Sequence, residues 1–280
     1  MPRRSFALAT AATAALAVAA AQTGSDSALP DGRASGGQRS ADWGGRTLTQ
    51  DFAGRRLDRR IWNTCHWWAD RGCTIASNNE LEWYLPRQVR VRGGRLRLVA
   101  RRRSTQGADG RRYPFASGMI SSGPPYDSRK PRFAFRYGRA EIRARVPAGR
   151  GLWSAFWLLP ASRRSKPEID VMEVLGHAPT TVEMHLHYRR RDGTVGQRGK
   201  EWRDAKLLSG WHTYAVDWRP GRLAWLIDGV VRWRVHGRAV PRVPMYLVAN
   251  LAVGGDWPGR PSSSTRFPSA LEIDYVRVRQ

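Results

Sequence analysis

Apolar and polar residues alternate along many short segments of this chain. The alternation is clear in segment 140–146, and an Asp228-Gly229 pair separates two more such segments, 223–227 and 230–235. A period of two residues places apolar side chains on one face of a β-strand, and Asp-Gly is a favoured hairpin turn. Turns rich in glycine and proline divide the segments, and no long helical pattern occurs after the N-terminal segment. The pattern predicts an all-β sandwich of antiparallel sheets.

One predicted strand has three acidic residues in an otherwise apolar run. Glu168, Asp170 and Glu173 are the acids, and Met172 is one of their apolar neighbours. On a helix, about 100° of rotation per residue would point the three side chains in divergent directions. On a strand, Glu168 and Asp170 share a face, and Glu173 joins them only if a β-bulge adds one residue. We expect Met172 to be that extra residue.

Three carboxylates on one face can serve either catalysis or solubility. Burial of unpaired charge is costly, so acids within an apolar run indicate a shared purpose. Two glutamates about 5–5.5 Å apart are the catalytic pair of a retaining glycosidase, in which one attacks the anomeric carbon and the other protonates the leaving oxygen. Asp170 between them would hold Glu168 and Glu173 in different protonation states. The alternative is the charged outer face of an amphipathic strand, and the spacing alone leaves both interpretations open.

The acid run resembles the active-site strand of glycoside hydrolase family 16, in the form with one additional residue that laminarinase-type endo-β-1,3-glucanases have. Five other segments resemble the same family, in its order along the chain: 77–84, 137–143, 151–160, 250–259 and 273–278. The resemblance runs from about Trp43 to Gln280. It implies a β-jelly-roll sandwich of two curved antiparallel sheets (concanavalin A-like) with an open concave cleft for a polysaccharide.

The resemblance also implies roles for individual residues. It makes Glu168 the nucleophile, Glu173 the acid/base and Asp170 their assistant in an endo-acting, retaining β-glucanase. The substrate would be β-1,3-glucan or mixed β-1,3/1,4-glucan, and catalysis would require no cofactor. The residues that match substrate-binding positions of the family are Asn79, Glu80, Trp153, Trp157, His187 and Trp257.

The histidine assignment has an alternative, and the resemblance also bears on the cleft aromatics and on an expected calcium position. His185 shares the predicted strand face of His187 and is a rival for its role, and either histidine could instead belong to the core. Aromatic side chains suit the cleft because they pack on the apolar faces of sugar rings. Asp274 matches a position that binds structural calcium in some family members, so a calcium ion there is a further expectation.

The N-terminal segment is typical of an exported protein. Two arginines precede an apolar run with a small-residue cleavage pattern, so we expect a signal peptide at 1–21, a flexible segment at 22–42 and the catalytic domain at 43–280. An uncleaved membrane anchor is the alternative. Export favours a disulfide between Cys65 and Cys73, with free thiols as the alternative. We therefore expect a secreted, extracellular protein that is monomeric.

The formal net charge of +25 suggests a polyanionic partner. Only four of the 48 basic residues are lysine, so 44 are arginine, and they are spread along the chain rather than gathered in one stripe. This distribution favours a soluble basic surface over nucleic-acid binding, with an anionic polysaccharide or wall polymer as the open alternative. The expected partner is a β-glucan, without stable membrane insertion. A non-catalytic glucan-binding protein, a transglycosylase and a hydrolase of another polysaccharide remain as alternative functions.

Overall fold

The computed structural model of this protein describes residues 47–68 and 73–280. Two β-sheets make up most of this part of the chain. The strands in these ranges are β1 (Leu48–Gln50), β2 (Glu82–Tyr84), β3 (Val89–Val91), β4 (Leu96–Gln106), β5 (Arg112–Ser117), β6 (Met119–Ser121), β7 (Gly138–Arg145), β8 (Leu152–Pro160), β9 (Glu168–Leu175), β10 (Thr181–Arg189), β11 (Val195–Arg203), β12 (His212–Arg219), β13 (Arg222–Ile227), β14 (Val230–His236), β15 (Met245–Val253) and β16 (Ser269–Arg279). Short 3-10 turns occur at Ala76–Asn78, Pro86–Gln88 and Ala205–Leu208. The predicted signal peptide, the segment 22–42 and residues 43–46 of the predicted domain lie outside the described residues.

The strands pair mainly in antiparallel fashion. Within the described ranges, a ten-stranded sheet has the order β14-β13-β12-β7-β16-β4-β5-β2, with β1 paired to β16 and β3 paired to β4. A six-stranded sheet has the order β11-β10-β9-β8-β15-β6. Asp228 and Gly229 form the predicted hairpin turn between β13 and β14, and both have positive φ angles, of 50° and 77°. The predicted all-β sandwich is confirmed, and no helix of the described residues has the length and apolar character needed to cross a membrane.

The hydrophobic core lies between the two sheets and follows from alternation along the strands. In β7, Ala140, Ile142 and Ala144 are fully buried in this core, whereas Arg139 and Arg143 lie on the other face of the strand. Apolar residues of β8, β9, β10 and β15 supply the opposite side of the core. The two sheets therefore hide their apolar faces from water against each other, which is the main stabilising contribution in a sandwich.

One end of the outer face of the six-stranded sheet is covered by the chain that precedes β2. A second apolar cluster there joins Trp157 and Tyr246 of the sheet to Trp67 and Trp68 of the covering segment. A disulfide joins Cys65 and Cys73 across this segment, as the sequence predicted. The cover explains why β8 and β15 are buried on both faces, and it leaves the rest of the outer face open.

The predicted β-bulge is present in strand β9. Strand β8 pairs with Asp170 and then with Met172, so Val171 has no partner on that side. Both Val171 and Met172 pack into the core between the sheets. The unpaired residue in this register is therefore Val171 rather than Met172, because two consecutive residues form a bulge and the neighbouring strand decides which one is skipped. The expected consequence is unchanged, since the strand after the bulge turns Glu173 to the face of Glu168.

A hydrogen bond from the other sheet supports the bulge. The indole N–H of Trp225, a fully buried residue of β13, donates to the backbone carbonyl of Asp170 over 2.8 Å. The Trp225 ring also packs on Trp233, with 4.2 Å between ring centroids. Because the bulge disrupts the regular ladder, this carbonyl depends on a side chain of the opposite sheet for its hydrogen bond.

We expect Trp225→Phe to lower the free energy of unfolding by roughly 2–4 kcal/mol, because the Asp170 carbonyl loses its donor and a cavity remains in the core. Urea denaturation monitored by circular dichroism measures this change. Trp233→Phe is the matched control, since it changes the neighbouring ring without touching the bulge and should cost clearly less. Equal losses in the two variants would contradict a specific role of the Trp225 hydrogen bond.

Candidate active site

Strand β9 presents three carboxyl groups on the outer face of the six-stranded sheet. Glu168 and Asp170 share this face through alternation, and the bulge returns Glu173 to it, while the apolar residues between them pack into the core. On the neighbouring strand β10, His187 pairs with Glu168 and His185 pairs with Asp170. The two histidines therefore lie beside the acids because of strand register, not because of sequence proximity.

The three acids lie where two adjoining cavities meet to form an open cleft. The cavities have volumes of about 510 and 560 Å³, and both are lined by the three acids with Ser77, Asn78, Trp153 and Lys166. The first cavity adds an aromatic wall of Trp67, Trp68 and Trp157. The second adds His185, His187, Gln197, Asp256 and Trp257. The cleft thus extends to both sides of the carboxyl groups.

Glu168 contacts a lysine in the chain that leads into β9. The Lys166 ammonium donates a hydrogen bond to Glu168 Oε2 over 2.8 Å, and both side chains are about one-fifth exposed. His187 Nε2 lies 3.7 Å from Glu168 Oε1 and 3.2 Å from Asp170 Oδ2. A partly buried ion pair of this kind favours the ionised form of the carboxyl group.

Glu173 has a histidine partner instead. His185 Nδ1 is hydrogen-bonded to Glu173 Oε2 over 2.8 Å. The imidazole ring lies across Gly199 of β11, where a Cβ atom would be only 2.5 Å from His185 Cδ2, so a glycine is required at this position. The indole N–H of Trp153 faces the Glu173 carboxylate and favours its ionised form, although its geometry falls short of a full hydrogen bond.

Asp170 lies between the two glutamates and their partners. One atom each of Glu168, Asp170 and His187 lie within 4.8 Å of one another, and the same holds for Asp170, Glu173 and His185. Both groups combine carboxylate oxygens with an imidazole nitrogen, a donor set that divalent transition metals accept. Within these groups, Glu168 and Glu173 each have a protein partner at 2.8 Å, Lys166 and His185.

Burial is the main cause of the unusual pKa values at this site. It raises the pKa of Glu168 to about 7, the charge of Asp170 adds to the rise, and the Lys166 ammonium opposes it. The pKa of Glu173 is raised to about 8, first by burial and then by the charge of Glu168. Burial and Glu173 raise the pKa of Asp170 well above its usual range. Burial also lowers the pKa of His187, so this imidazole is neutral near pH 7.

These protonation states define what the site can do. The Lys166 ammonium lowers the pKa of Glu168, whereas the charge of Glu168 raises the pKa of Glu173, so the contacts favour an ionised Glu168 beside a protonated Glu173. A carboxylate beside a carboxyl group that keeps its proton to higher pH can attack an electrophilic carbon while its neighbour protonates a leaving group. The arrangement therefore combines a nucleophile with a proton donor.

The three predicted cleft tryptophans all line the cleft. Trp153 and Trp257 form a T-shaped pair with 5.2 Å between ring centroids, and Trp257 is 41 % exposed. Trp157 is 8 % exposed and donates its indole N–H to Asn250 Oδ1 over 2.8 Å, so it forms part of the cleft floor. Trp257 is thus free to contact a ligand, whereas Trp157 offers a fixed apolar surface.

The loop before β2 differs in one detail from the prediction. Glu80 lines the first cavity, and its carboxylate accepts hydrogen bonds from the Asn78 side chain and the Ile75 backbone N–H. Asn79 lines neither cavity, because a left-handed backbone conformation (φ 54°) directs its amide to the Asp256 carboxylate, 3.0 Å away. Asn78 is thus the asparagine that lines the cleft, and a role of Asn79 in substrate binding stays a prediction.

Several residues that line the cleft were absent from the sequence prediction. Lys166 had an available signal, since it lies only two residues before Glu168 and immediately before the predicted strand. Asn78 and Asn250 had none, because they reach the cleft through loop geometry and through pairing of β15 with β8. Trp67 and Trp68 belong to the disulfide-closed segment, whose position over the sheet is decided by tertiary packing.

The proposed calcium position at Asp274 has a protein partner. Arg143 Nη1 donates to Asp274 Oδ2 over 2.6 Å, so a guanidinium already neutralises this carboxylate. Within the described ranges, no cluster of three potential side-chain ligands includes Asp274. Because calcium requires six to eight oxygen ligands, the side chains present do not favour it here, and calcium at Asp274 stays a prediction.

Comparison with known proteins agrees with this geometry. The family described as "Glycosyl hydrolases family 16" matches residues 68–277. The chain is 34% identical over 231 residues to the endo-1,3-1,4-beta-glycanase ExsH of Rhizobium meliloti (strain 1021), covering 78% of this chain and 47% of the relative. It is 32% identical over 235 residues to a beta-glucanase of Rhodothermus marinus, covering 76% of this chain and 78% of the relative. The chain thus spans about half the length of ExsH.

Solved structures give the same result for the fold. The laminarinase catalytic domain from Thermotoga maritima MSB8 matches with a TM-score of 0.71 and 28% identity, over 82% of this chain and 96% of that one. The laminarinase from Rhodothermus marinus matches with a TM-score of 0.70 and 30% identity, over 83% of this chain and 96% of that one. The sandwich is therefore the jelly roll that these laminarinases adopt, as the sequence resemblance implied.

The raised pKa values make the stability of the fold depend on pH. A carboxyl group with a higher pKa in the folded state binds more protons when folded, so the free energy of unfolding falls as the pH rises above the unfolded pKa of 4.5. The loss is complete above the folded pKa values of about 7 and about 8. We expect lower stability at about pH 9 than at about pH 5, by roughly 1.4 kcal/mol per unit of pKa shift. Urea denaturation across this range measures the slope.

The double variant Glu168→Gln/Glu173→Gln is the control for this pH dependence. Glutamine does not titrate, so the part of the slope that Glu168 and Glu173 contribute should disappear, while the part that Asp170 contributes should remain. Stability of the unaltered protein that rises over the same interval would show that the carboxyl groups are not held in their protonated forms.

Proposed function

Because the chain belongs to glycosyl hydrolases family 16, we propose that it is a secreted, endo-acting β-glucanase that hydrolyses β-1,3-glucan or mixed β-1,3/1,4-glucan with retention of configuration. One observation carries the proposal. The bulged strand β9 brings Glu168, Asp170 and Glu173 to one cleft and gives the two glutamates different partners, Lys166 and His185. Relatives named as glucanases and laminarinases support the substrate class.

The first step forms a covalent intermediate. Glu173, the glutamate with the higher pKa, donates its proton to the glycosidic oxygen, while the Glu168 carboxylate attacks the anomeric carbon. The bond to the leaving sugar breaks and an ester bond to Glu168 forms. Lys166 supports this step by keeping Glu168 ionised despite its burial.

The second step releases the sugar. Glu173, now a carboxylate, removes a proton from water as the water attacks the anomeric carbon and displaces Glu168. Two inversions give net retention. One carboxylate oxygen of Asp170 lies within 4.8 Å of Glu168 and one within 4.8 Å of Glu173, so Asp170 stands beside both members of the proposed pair.

The shape of the cleft favours cleavage within a chain. Cavities extend to both sides of the acids, so a polysaccharide can continue in either direction past the cleaved bond. Tryptophans line both cavities and offer flat apolar surfaces to sugar rings. Secretion is supported by the predicted signal peptide and by the disulfide, a bond that persists in oxidising compartments.

Product analysis on laminarin, lichenan, agarose and carrageenan in parallel tests the proposed function. We expect oligosaccharides of several lengths from laminarin at early times, whereas an exo-acting enzyme would release a single small product. Glu168→Gln should lower kcat at least about 10³-fold with the fold unchanged, because the nucleophile is lost. Glucan binding without any release of reducing ends by the unaltered protein would instead identify a non-catalytic binding protein.

Azide rescue distinguishes the roles of the two glutamates. With an activated glucoside, Glu173→Ala should recover activity in azide and yield a β-glycosyl azide, because azide attacks the intermediate on Glu168. Glu168→Ala should yield the α-glycosyl azide by direct displacement. Exchange of the two products between the variants would reverse the assignment of nucleophile and acid/base.

Lys166→Met should move the acidic limb of the kcat/KM profile to higher pH by about one unit. The substitution removes the positive charge that lowers the pKa of Glu168, so a higher pH is needed to ionise the nucleophile. Lys166→Arg should restore the limb, and Lys200→Met, at an exposed lysine of β11, should leave it in place. If the acidic limb of the kcat/KM profile stays in place in Lys166→Met, Lys166 does not lower the pKa of Glu168 during catalysis.

A further inference from the structure

A second concavity lies outside the cleft, on the ten-stranded sheet. It has a volume of about 530 Å³ and is lined by Arg101, Arg102 and Arg103 of β4 with Thr265, Phe267 and Pro268 of the segment before β16. None of these residues lines either cavity of the cleft. We call this concavity the arginine pocket.

The arginine pocket has positive charge without a compensating carboxylate. Among the residues that the structure describes, no acidic side chain lines it, and none of its three arginines forms an ion pair. Three cationic side chains around one concavity create a positive potential that attracts an anionic ligand.

Several other arginines of the same sheet have carboxylate partners, which the arginines of the pocket lack. Arg139 pairs with Glu141 over 2.7 Å, and Arg143 pairs with Asp274 over 2.6 Å. Glu272 is shared by two further arginines. The sheet surface thus neutralises part of its charge in the centre and leaves it uncompensated at the pocket.

Apolar rings lie beside these charges. The Arg102 guanidinium lies over Phe267 at 5.0 Å and over Phe115 at 5.5 Å, and the two rings are themselves 5.0 Å apart. Pro268 extends this surface at the pocket rim. Flat apolar rings pack on the C–H faces of sugars, and arginine binds planar acidic groups through paired N–H donors. The two features together suit a sugar that has an acidic substituent.

The pocket is built on the sheet and on a fixed turn. Ala100 of β4 pairs with Ser269 of β16, which holds the arginines beside the apolar rings. The buried Thr265 hydroxyl donates to the Arg150 carbonyl over 2.8 Å and accepts from the Ser262 backbone N–H. Arg102 Nη2 donates to the Ser262 carbonyl over 3.3 Å. The turn and the Arg102 side chain are therefore held in place before any ligand binds.

We propose that the arginine pocket binds an acidic sugar of a polysaccharide, with the carboxylate or sulfate on the arginines and the ring on Phe267 and Pro268. This secondary site lies apart from the catalytic acids and does not depend on the reaction proposed for them. Its effect is to hold the protein on an acidic polymer while the cleft stays open to its own substrate.

Binding to polygalacturonate and to dextran sulfate at about 0.15 M salt tests the proposal, since surface charges farther apart than about 8 Å are screened there. Arg101→Gln/Arg103→Gln should weaken binding of at least one polymer about tenfold, the order expected for lost charge-assisted hydrogen bonds. The affected polymer identifies carboxylate or sulfate as the acidic group. Arg191→Gln/Arg234→Gln removes the same charge from exposed positions remote from β4 and should retain binding. Thermal unfolding and laminarin hydrolysis should be unchanged in both variants.

Three outcomes would overturn the proposal: absence of binding to both polymers, equal losses in the pocket and control variants, or an equal loss of binding to double-stranded DNA, which would indicate a general polyanion surface.

A measurement on the unaltered protein avoids any effect of substitution on folding. Oligogalacturonate or a sulfated oligosaccharide should protect Arg101 and Arg103, but not Arg191 and Arg234, from phenylglyoxal, as read by peptide mass mapping. Protection of all four arginines, or of none, would contradict a defined site.

Discussion

The single interruption of alternation in strand β9 is the constraint on which the site depends. A regular strand would turn Glu173 toward the core, where an isolated carboxylate is strongly disfavoured. The bulge lets Val171 and Met172 both enter the core and returns Glu173 to the face of Glu168. The cost is a disrupted ladder, and Trp225 of the opposite sheet offsets it by donating to the Asp170 carbonyl. The same bulge therefore sets both the packing of the core and the geometry of the site.

The same placement creates the electrostatic character of the site. Three carboxyl groups on adjacent positions of a covered sheet face lose hydration, and this loss raises their pKa values. The partners are unequal, since Lys166 contacts Glu168 and His185 contacts Glu173. Identical side chains thereby acquire different proton affinities, which is what a nucleophile and a proton donor require. The asymmetry comes from strand register and from Gly199, which leaves room for the His185 ring.

Charge is distributed differently over the two sheets. The outer face of the six-stranded sheet has buried acids and tryptophans, whereas the ten-stranded sheet has arginines that are partly neutralised by Glu141, Asp274 and Glu272. The net charge of +25 therefore does not describe the surface of the cleft. A protein with this division can meet an acidic polymer on one surface and a neutral glucan on another.

Local pattern was enough to predict the fold class, the Asp228-Gly229 hairpin and the shared face of Glu168 and Asp170, because each follows from the two-residue period of a strand or from turn chemistry. Glu173 breaks that period, and its position on the same face was predicted only by assuming a bulge. Lys166 could have been found by its nearness in sequence to Glu168.

Features that join distant segments could not be found in this way. Contacts between distant segments make Val171 the skipped residue and turn Asn78 rather than Asn79 to the cleft. They also place Trp67 and Trp68 over one end of the outer face of the six-stranded sheet. The physical reason is that register, a single backbone dihedral and loop packing are selected by contacts between distant segments, whose energies no local pattern records.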